Sequence, residues 1–185
     1  MKRRGHLLPQ RRIVFVGCEG ESERAYVGLL NDIARTQGKA LAIQAHLLNP
    51  GAGDPHELVK RAVQRLAAKR RLGDRYVHVA VFLDEDQCAL APEKCAAAQA
   101  LATLHQMQLV WQQADHEAFL LRHLNNCHAL RPPHSASLAL LQRYWPEYVK
   151  PMTIRHLAQR IGVAQLQQAR TVETQLHIFL NAIGW

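Results

Sequence analysis

The sequence lacks long apolar runs. None of its 185 residues belongs to an uninterrupted hydrophobic segment that approaches the roughly 18 residues needed for a membrane-spanning helix. The basic start, Met1 to Arg4, is similar to the beginning of a secretory leader, but Gln10, Arg11 and Arg12 interrupt it before an apolar segment develops. We therefore expect a cytoplasmic protein that does not associate with membranes.

Cysteine is scarce as well. The four cysteines form no Cys-x-x-Cys pair, and no His/Cys spacing is typical of a zinc site, so zinc binding is the less favoured interpretation. In a reducing compartment we expect free thiols instead of disulfides. The first strand-to-helix turn lacks Gly-x-Gly-x-x-Gly, which argues against a Rossmann-type nucleotide-binding protein.

Acidic residues are fewer than basic ones, 15 against 23, which gives a net charge of +8. The basic residues cluster between positions 2 and 12 and again between 60 and 75, as in proteins that bind polyanions. Arg61, Arg65 and Lys69 recur at four-residue spacing and are our candidate contacts to nucleic acid, either DNA or RNA. The alternative is an ordinary solvated helix face.

Apolar periodicity predicts alternating strands and helices. Short β-branched runs predict strands at 12–17, 40–48, 76–83 and 107–111. Apolar residues at helical spacing predict helices at 22–37, with Ser22 as N-cap, and at 56–71, 92–105 and 115–124, with a loop at 49–55. This order predicts an α/β fold with a parallel sheet flanked by helices. We expect residues 1–131 to form this domain and residues 132–185 to form an all-helical C-terminal extension packed on it.

Acidic residues follow two predicted strands where each strand ends. Glu19 and Glu23 follow the first, and Asp84 and Asp86 follow the third. In parallel sheets the functional crevice lies beyond these strand ends, and alternate residues of an extended backbone point the same way, so we expect Glu19, Asp84 and Asp86 to meet. Crowded carboxylates favour Mg²⁺ or Mn²⁺, and Gly20 lets backbone approach a phosphate. The alternative is that these acids only solvate loop tips.

These residues carry a resemblance. A strand, then Glu19-Gly20, then an apolar strand that ends in Asp84-x-Asp86, resembles the Toprim domain of topoisomerases, primases and overcoming-lysogenization-defect nucleases. Cys-Glu-Gly-Glu-Ser-Glu at 18–23, followed by Tyr26, is similar to the opening motif of the RloB-like family, Toprim-related proteins found near restriction and phage-defence genes.

Later segments extend the resemblance to about residue 150. Glu117 and His123 keep that family's Glu-to-His spacing, and Pro-Glu-Tyr-Val-Lys at 146–150 resembles its Tyr-x-Lys element. The chain departs from the family at Asp115 and His116, where Pro and an aromatic residue are usual, and at Phe119, where Trp is usual. These departures concern the substrate pocket more than the metal site.

The resemblance implies a Toprim-like nuclease that uses a divalent metal to cleave phosphodiesters in phage defence, with an ATPase or another defence protein as partner. Asp84 and Asp86 would hold Mg²⁺ or Mn²⁺, and Glu19 would complete the site or act as general base. Glu23 and Glu117 are further catalytic candidates, and His123 and Lys150 are substrate-binding candidates. For Glu23 the alternative is a first-turn acid favoured by the helix dipole; for His123, a packed histidine; for Lys150, a surface lysine.

Two other functions remain open. Residues 153–163 have the Ala and Gly spacing of a helix-turn-helix, which would make the protein a DNA-binding regulator, although Gln167 and Gln168 stand where an apolar residue should pack. A catalytically inactive Toprim-like module that binds nucleic acid would carry the same acidic residues. The choice between RNA and DNA and the oligomeric state are not indicated by the sequence.

Overall fold

The structure, a computed structural model, describes residues 11–48 and 53–185. The predictions for the basic residues before Arg11 and for positions 49–52 of the predicted loop lie outside the described residues. The first half of the described chain contains β1 (Arg12–Cys18), α1 (Glu21–Thr36), β2 (Leu41–Leu47), α2 (Pro55–Arg71), β3 (Tyr76–Asp84), α3 (Asp86–Leu90), α4 (Pro92–Leu104) and β4 (Gln108–Gln112). The second half contains α5 (His116–Leu121), α6 (His134–Tyr144), α7 (Ile154–Ala158), α8 (Val163–Val172) and α9 (Thr174–Ala182).

The four strands form one parallel sheet in the order β2-β1-β3-β4. The central pair, β1 and β3, is aligned so that Cys18 lies opposite Phe82. Both strands are almost continuously apolar because a central parallel strand is covered on its two faces. The predicted α/β fold is confirmed, and the first and third strands are adjacent, as the expected meeting of Glu19 with Asp84 requires.

Side chains that alternate along the strands pack into two hydrophobic cores, one on each face of the sheet. Val14 and Val16 pack with α1 and the C-terminal helices, whereas Phe15 and Val81 pack with α2 and α4 on the opposite face. Buried leucines and aromatic residues of α6 to α9 belong to the same core as α1, so residues 132–185 complete that layer. No helix of the described part of the chain is long and apolar enough to cross a membrane.

Two predictions about the strand ends are wrong in detail. Helix α1 begins at Glu21 with Gly20 as its N-cap, and Ser22 is already inside the helix. The backbone N–H of Gly20 is instead satisfied by Glu23, which reaches back to it. Strand β3 ends at Asp84 and α3 begins at Asp86, so strand alternation does not set the direction of Asp86.

The expectation of free thiols is also wrong for one pair of cysteines. Cys88 and Cys95 form a disulfide, while Cys18 and Cys127 are free and buried. The turn between α3 and α4 brings the two bonded Cα atoms to 5.5 Å, a separation that a disulfide spans. Sequence spacing alone did not reveal this because the two cysteines lie on different helices.

A buried ion pair joins the C-terminal helices to the rest of the fold. Arg122 directly follows α5, is fully withdrawn from solvent, and donates through Nε to the carboxylate of Glu173 between α8 and α9. Its Nη2 also donates to the backbone oxygen of Gln113 at 3.1 Å. Both charges are removed from water, so each depends on the other for compensation.

Arg122→Met should lower the free energy of unfolding by about 3–5 kcal/mol, because it leaves the Glu173 carboxylate buried without its cation. Arg122→Met combined with Glu173→Leu should recover most of that loss, since neither charge then remains. Urea denaturation of the two variants and the wild type measures the difference. An equal loss in the single and double variants would contradict the view that Arg122 and Glu173 stabilise the fold by compensating each other's charge.

Candidate functional site

The carboxyl ends of the two central strands bring Glu19 and Asp84 together. Glu19 immediately follows β1, and Asp84 is the last residue of β3. Because the strands are adjacent and parallel, the backbone N–H of Asp84 lies 3.5 Å from Glu19 Oε2. The structure therefore unites the first and third acidic segments at one edge of the sheet, where a crevice is expected in an open α/β fold.

Burial and like charge make both carboxylates hard to ionise together. Burial, followed by the charge of Glu23, raises the pKa of Glu19 to about 7. Burial, followed by the charges of Glu23 and Glu19, raises the pKa of Asp84 well above its usual range. Asp84 Oδ1 is buried and has no hydrogen-bond partner within the described residues. A proton or a cation would relieve the repulsion at this point.

Glu23 is buried in the first turn of α1 and held from two sides. Its Oε2 accepts a hydrogen bond from the Gly20 backbone at 2.8 Å, and its Oε1 lies 3.6 Å from His116 Nδ1. His116 in turn contacts the side-chain amide of Gln112 at 2.9 Å. Glu23 is thus a structural cap and, at the same time, a neighbour of the Glu19 and Asp84 carboxylates.

Glu117 is bonded to a tyrosine and a lysine of the segment that follows α6. Its Oε1 accepts hydrogen bonds from Tyr148 Oη at 2.9 Å and from Lys150 Nζ at 2.9 Å. Burial alone would raise the pKa of Glu117, but the hydrogen bond and charge of Lys150 outweigh it and hold that pKa below its usual range. Lys150 is also close enough to Glu23 and Asp84 for their charges to raise its own pKa, against the effect of burial.

Asp86 lies close to a histidine that also contacts Asp115. Its Oδ2 lies 3.8 Å from His134 Nδ1, and the same nitrogen lies 2.7 Å from Asp115 Oδ2. Asp115 caps α5 by accepting from the Ala118 backbone at 2.8 Å, and its second oxygen also accepts from Ser137. After burial and the charge of Glu23, the charge of Asp86 also raises the pKa of Glu19, so Asp86 lies beside the site, on a helix and not at the end of a strand.

Sequence reasoning missed part of this set. Asp115 and His116 were noted only as departures from a family pattern, and His134 carried no signal. Asp115 could have been found as the N-cap of a predicted helix, because an N-capping carboxylate keeps a second oxygen for other contacts. His134 could not, because only the packing of α6 against α5 brings it to Asp86 and Asp115.

His123 lies in the core of the protein. The side chain is fully buried, its Nδ1 lies 3.0 Å from the Phe119 carbonyl, and its Nε2 lies 2.9 Å from Tyr26 Oη. Burial lowers the pKa of His123 to about 3, so the ring is neutral. Its position does not support the predicted substrate-binding role and agrees with the alternative of a packed histidine.

The predicted basic row on α2 makes no ion pair with the carboxylates of the strand ends among the described residues. Arg65 is exposed, Arg61 and Lys69 are half-buried, and Lys69 Nζ lies 3.8 Å from Asp74 Oδ2, just before β3 begins. Helix α2 runs antiparallel to the strands, so this row leads from the middle of the helix toward the opposite end of the sheet. The nucleic-acid contact assigned to these three residues stays a prediction.

The donors suit a hard divalent cation in their chemistry, because they are carboxylates with one buried, unpartnered oxygen. In the arrangement described for residues 11–48 and 53–185, no group of three or more His, Cys, Asp or Glu residues is placed to hold a metal ion. Glu23 and Glu117 are engaged with protein donors. Glu19 accepts only a long contact from the Asp84 backbone, and Asp86 Oδ2 accepts from the Gln87 side chain at 3.3 Å. Glu19, Asp84 and Asp86 each keep an oxygen that has no protein donor in the described part of the chain.

Comparison of this chain with protein-family models, with curated proteins and with solved structures found no match. The resemblance to Toprim and RloB-like proteins consequently rests on the motifs quoted above.

Glu19→Gln should stabilise the metal-free protein at pH 8 and have little effect near pH 4.5. The pKa of Glu19 rises from 4.5 to about 7 on folding, so both states are protonated below pH 4.5. Between these two pH values the Glu19 carboxyl of the unfolded chain ionises first, so the free energy of unfolding falls. Above about pH 7 the loss is complete and amounts to roughly 3 kcal/mol. Urea denaturation in chelator at several pH values measures it. A pH-independent difference between wild type and variant would contradict the raised pKa.

Proposed function

We propose that this protein is a Toprim-like nuclease that cleaves nucleic-acid phosphodiesters with the help of Mg²⁺ or Mn²⁺. One observation carries the proposal: a buried, unpartnered oxygen of Asp84 lies beside Glu19 at the ends of two adjacent central strands. Such an arrangement is costly without a cation, because burial and like charge both oppose ionisation. A purely structural pair of acids would be expected to have its oxygens satisfied by protein donors.

The metal would be held by Glu19, Asp84 and Asp86. When bound, a divalent ion supplies positive charge to the scissile phosphate and lowers the pKa of a bound water. Glu19 is the candidate general base, since its pKa of about 7 suits proton transfer near neutral pH. Lys150, with a half-exposed side chain next to Glu117, supplies the nearest protein cation and can contact a phosphate.

Glu23 and Glu117 would act as positioning residues in this scheme. Glu23 holds the turn between β1 and α1 by accepting from Gly20, and its charge keeps the pKa of Glu19 high. Glu117 fixes Lys150 and Tyr148, both from the segment after α6. In this proposal the two glutamates, which the sequence predicts to be catalytic, instead position the groups around Glu19 and Asp84.

The biological setting is a further step of the same proposal. The motifs at 18–23, 117–123 and 146–150 resemble the RloB-like family, whose members lie near restriction and phage-defence genes. On that resemblance we propose a role in phage defence, with an ATPase or another defence protein as partner. The cytoplasmic location is the expectation drawn from the sequence itself. The net charge of +8 supports a polyanionic substrate but does not choose between RNA and DNA.

A helix-turn-helix regulator is the weaker candidate. In α8, Leu166 and Ala169 face the shared core, and the Gln168 amide donates to the Leu124 carbonyl at 3.0 Å, so part of this helix is committed to packing. A regulator would also have no use for the carboxylates at the strand ends. An inactive Toprim-like module would keep them, and only a cleavage measurement separates it from the nuclease.

Asp84→Asn should abolish metal-dependent cleavage, with a fall of at least about 100-fold, because it removes a charge that holds the ion. The assay is the cleavage rate of tRNA, mRNA, single-stranded DNA and duplex DNA against Mg²⁺ or Mn²⁺ concentration. Asp32→Asn, the same change at an exposed position on α1 paired only with Arg35, is the matched control and should cleave like the wild type. Full cleavage by Asp84→Asn, or by the wild type in excess chelator, would disprove the mechanism.

Metal binding has a readout that does not depend on cleavage. Mg²⁺ or Mn²⁺ should raise the melting temperature of the wild type at pH 8 more than at pH 5.5, because protons compete for Glu19 at the lower pH. Asp84→Asn should lose most of this rise and Asp32→Asn should keep it. A rise that persists in Asp84→Asn would place the ion elsewhere.

Replacement of Arg61, Arg65 and Lys69 by Gln should weaken nucleic-acid binding and reduce the slope of log K against log salt by about 2 to 3, since each of the three phosphate contacts contributes about 0.7 to 0.9. Binding is measured by fluorescence anisotropy at several salt concentrations. The control removes the same charge from exposed positions elsewhere: Arg35→Gln on α1, Arg143→Gln on α6 and Arg160→Gln between α7 and α8. Equal slopes in the two triple variants would show that Arg61, Arg65 and Lys69 contribute only as general surface charge and not as specific phosphate contacts.

A further inference from the structure

A cavity of about 660 Å³ lies directly beside Asp86. Its walls come from the beginning of α3, from the residues after β4, and from the segment Arg131 to His134 that leads into α6. Asp86 itself lines the cavity, as does His134, whose Nδ1 is near both Asp86 and Asp115. The cavity therefore opens next to the proposed metal site. Its volume falls within the range of small-molecule sites, about 300–1,000 Å³.

Arg122 contributes a buried charge to the wall of this cavity. Its Nε donates to Glu173 and its Nη2 to the Gln113 carbonyl at 3.1 Å, whereas its Nη1 is buried with no partner in the described part of the chain. A guanidinium nitrogen removed from water without an acceptor is costly. An anion in the cavity would provide the acceptor that the protein does not.

Arg131 contributes a second guanidinium, fixed by backbone oxygens. Nη1 donates to the carbonyls of His128 and Leu130 at 2.8 and 3.0 Å, and Nη2 donates to that of Val172 at 3.1 Å. Among the described residues no carboxylate pairs with it, so its charge is oriented but not neutralised. Its charge is also one of the causes, after burial, that lower the pKa of Arg122 to about 10.

We infer that this cavity binds a phosphate group of the nucleic acid, with Arg131 at the mouth and Arg122 in the wall. The inference rests on the proposed function, because it identifies the cavity as the substrate's phosphate site beside the metal-binding carboxylates. A guanidinium matches phosphate in charge and in its planar N–H fork. In the described part of the chain Arg122 Nη1 and Arg131 Nε have no protein acceptor, so each arginine keeps a donor for a phosphate oxygen. Pro132 and Pro133 hold the intervening wall in a restricted conformation, so the site is largely formed before the ligand arrives.

Inorganic phosphate is the first probe, applied to the full chain in chelator so that no metal-bound phosphate contributes. Isothermal titration calorimetry should detect binding by the wild type and a loss of at least about tenfold in affinity for Arg131→Gln, which is the effect of one charge-assisted contact. Arg131→Lys should fall between the two, because it keeps the charge without the fork. Arg143→Gln, an exposed arginine on α6 outside the cavity wall, should match the wild type.

Absence of phosphate binding by the wild type, or equal affinity of wild type and Arg131→Gln, would overturn the inference. Circular dichroism and thermal melting of Arg131→Gln check that the backbone contact to Val172 is not needed for folding. If that variant fails to fold, the comparison of wild type with Arg131→Lys carries the test: equal affinities overturn the inference, and a clear loss supports it.

Oligonucleotides identify the source of the phosphate. Chains with a 5′-phosphate, with a 3′-phosphate and with hydroxyl groups at both ends are compared in chelator. Tighter binding of one phosphorylated form, lost in Arg131→Gln, assigns the cavity to that terminal group. Equal binding of all three with the same loss assigns it to an internal phosphodiester, and insensitivity of all three to the variant overturns the inference. Intact phosphate binding without cleavage would reject the nuclease and leave the anion site standing.

Discussion

Repulsion between carboxylates is the constraint on which the rest of the site depends. Adjacent, parallel central strands place Glu19 and Asp84 at one buried edge, and Glu23 adds a third charge from the first turn of α1. The dielectric is low there, so these charges act on one another more strongly than on the surface. Each acid must therefore be protonated, paired with a cation or bonded to a donor.

The acidic residues of the site differ in how many protein donors contact their carboxylate oxygens. Glu23 has the Gly20 backbone, and Glu117 has Lys150 and Tyr148. Asp84 is left with a buried oxygen that lacks a partner among the described residues. That asymmetry is the reason for which we propose a functional site at this position, because a structural cluster is expected to have its buried oxygens satisfied by protein donors. It also locates the point at which an added cation would gain most.

The C-terminal helices belong to the site as much as to the core. Lys150, Tyr148 and His134 come from the segment after Arg131, and each contacts an acid that lies on or next to α3 or α5. The buried pair of Arg122 and Glu173 joins the same two parts of the chain. A change in how these helices pack would alter both the charge balance of the carboxylates and the arginine wall of the neighbouring cavity.

The sequence by itself determined the alternation of strands and helices, the α/β class, and the placement of Glu19 and Asp84 at strand ends. These follow from local periodicity, since apolar, β-branched runs and helical stripes depend on near neighbours. Tertiary structure alone decided that Asp86 begins a helix, that His123 is buried, that Cys88 bonds Cys95, and that His134 joins Asp86 to Asp115. Those outcomes depend on which distant elements pack together, and local periodicity carries no information about distant partners.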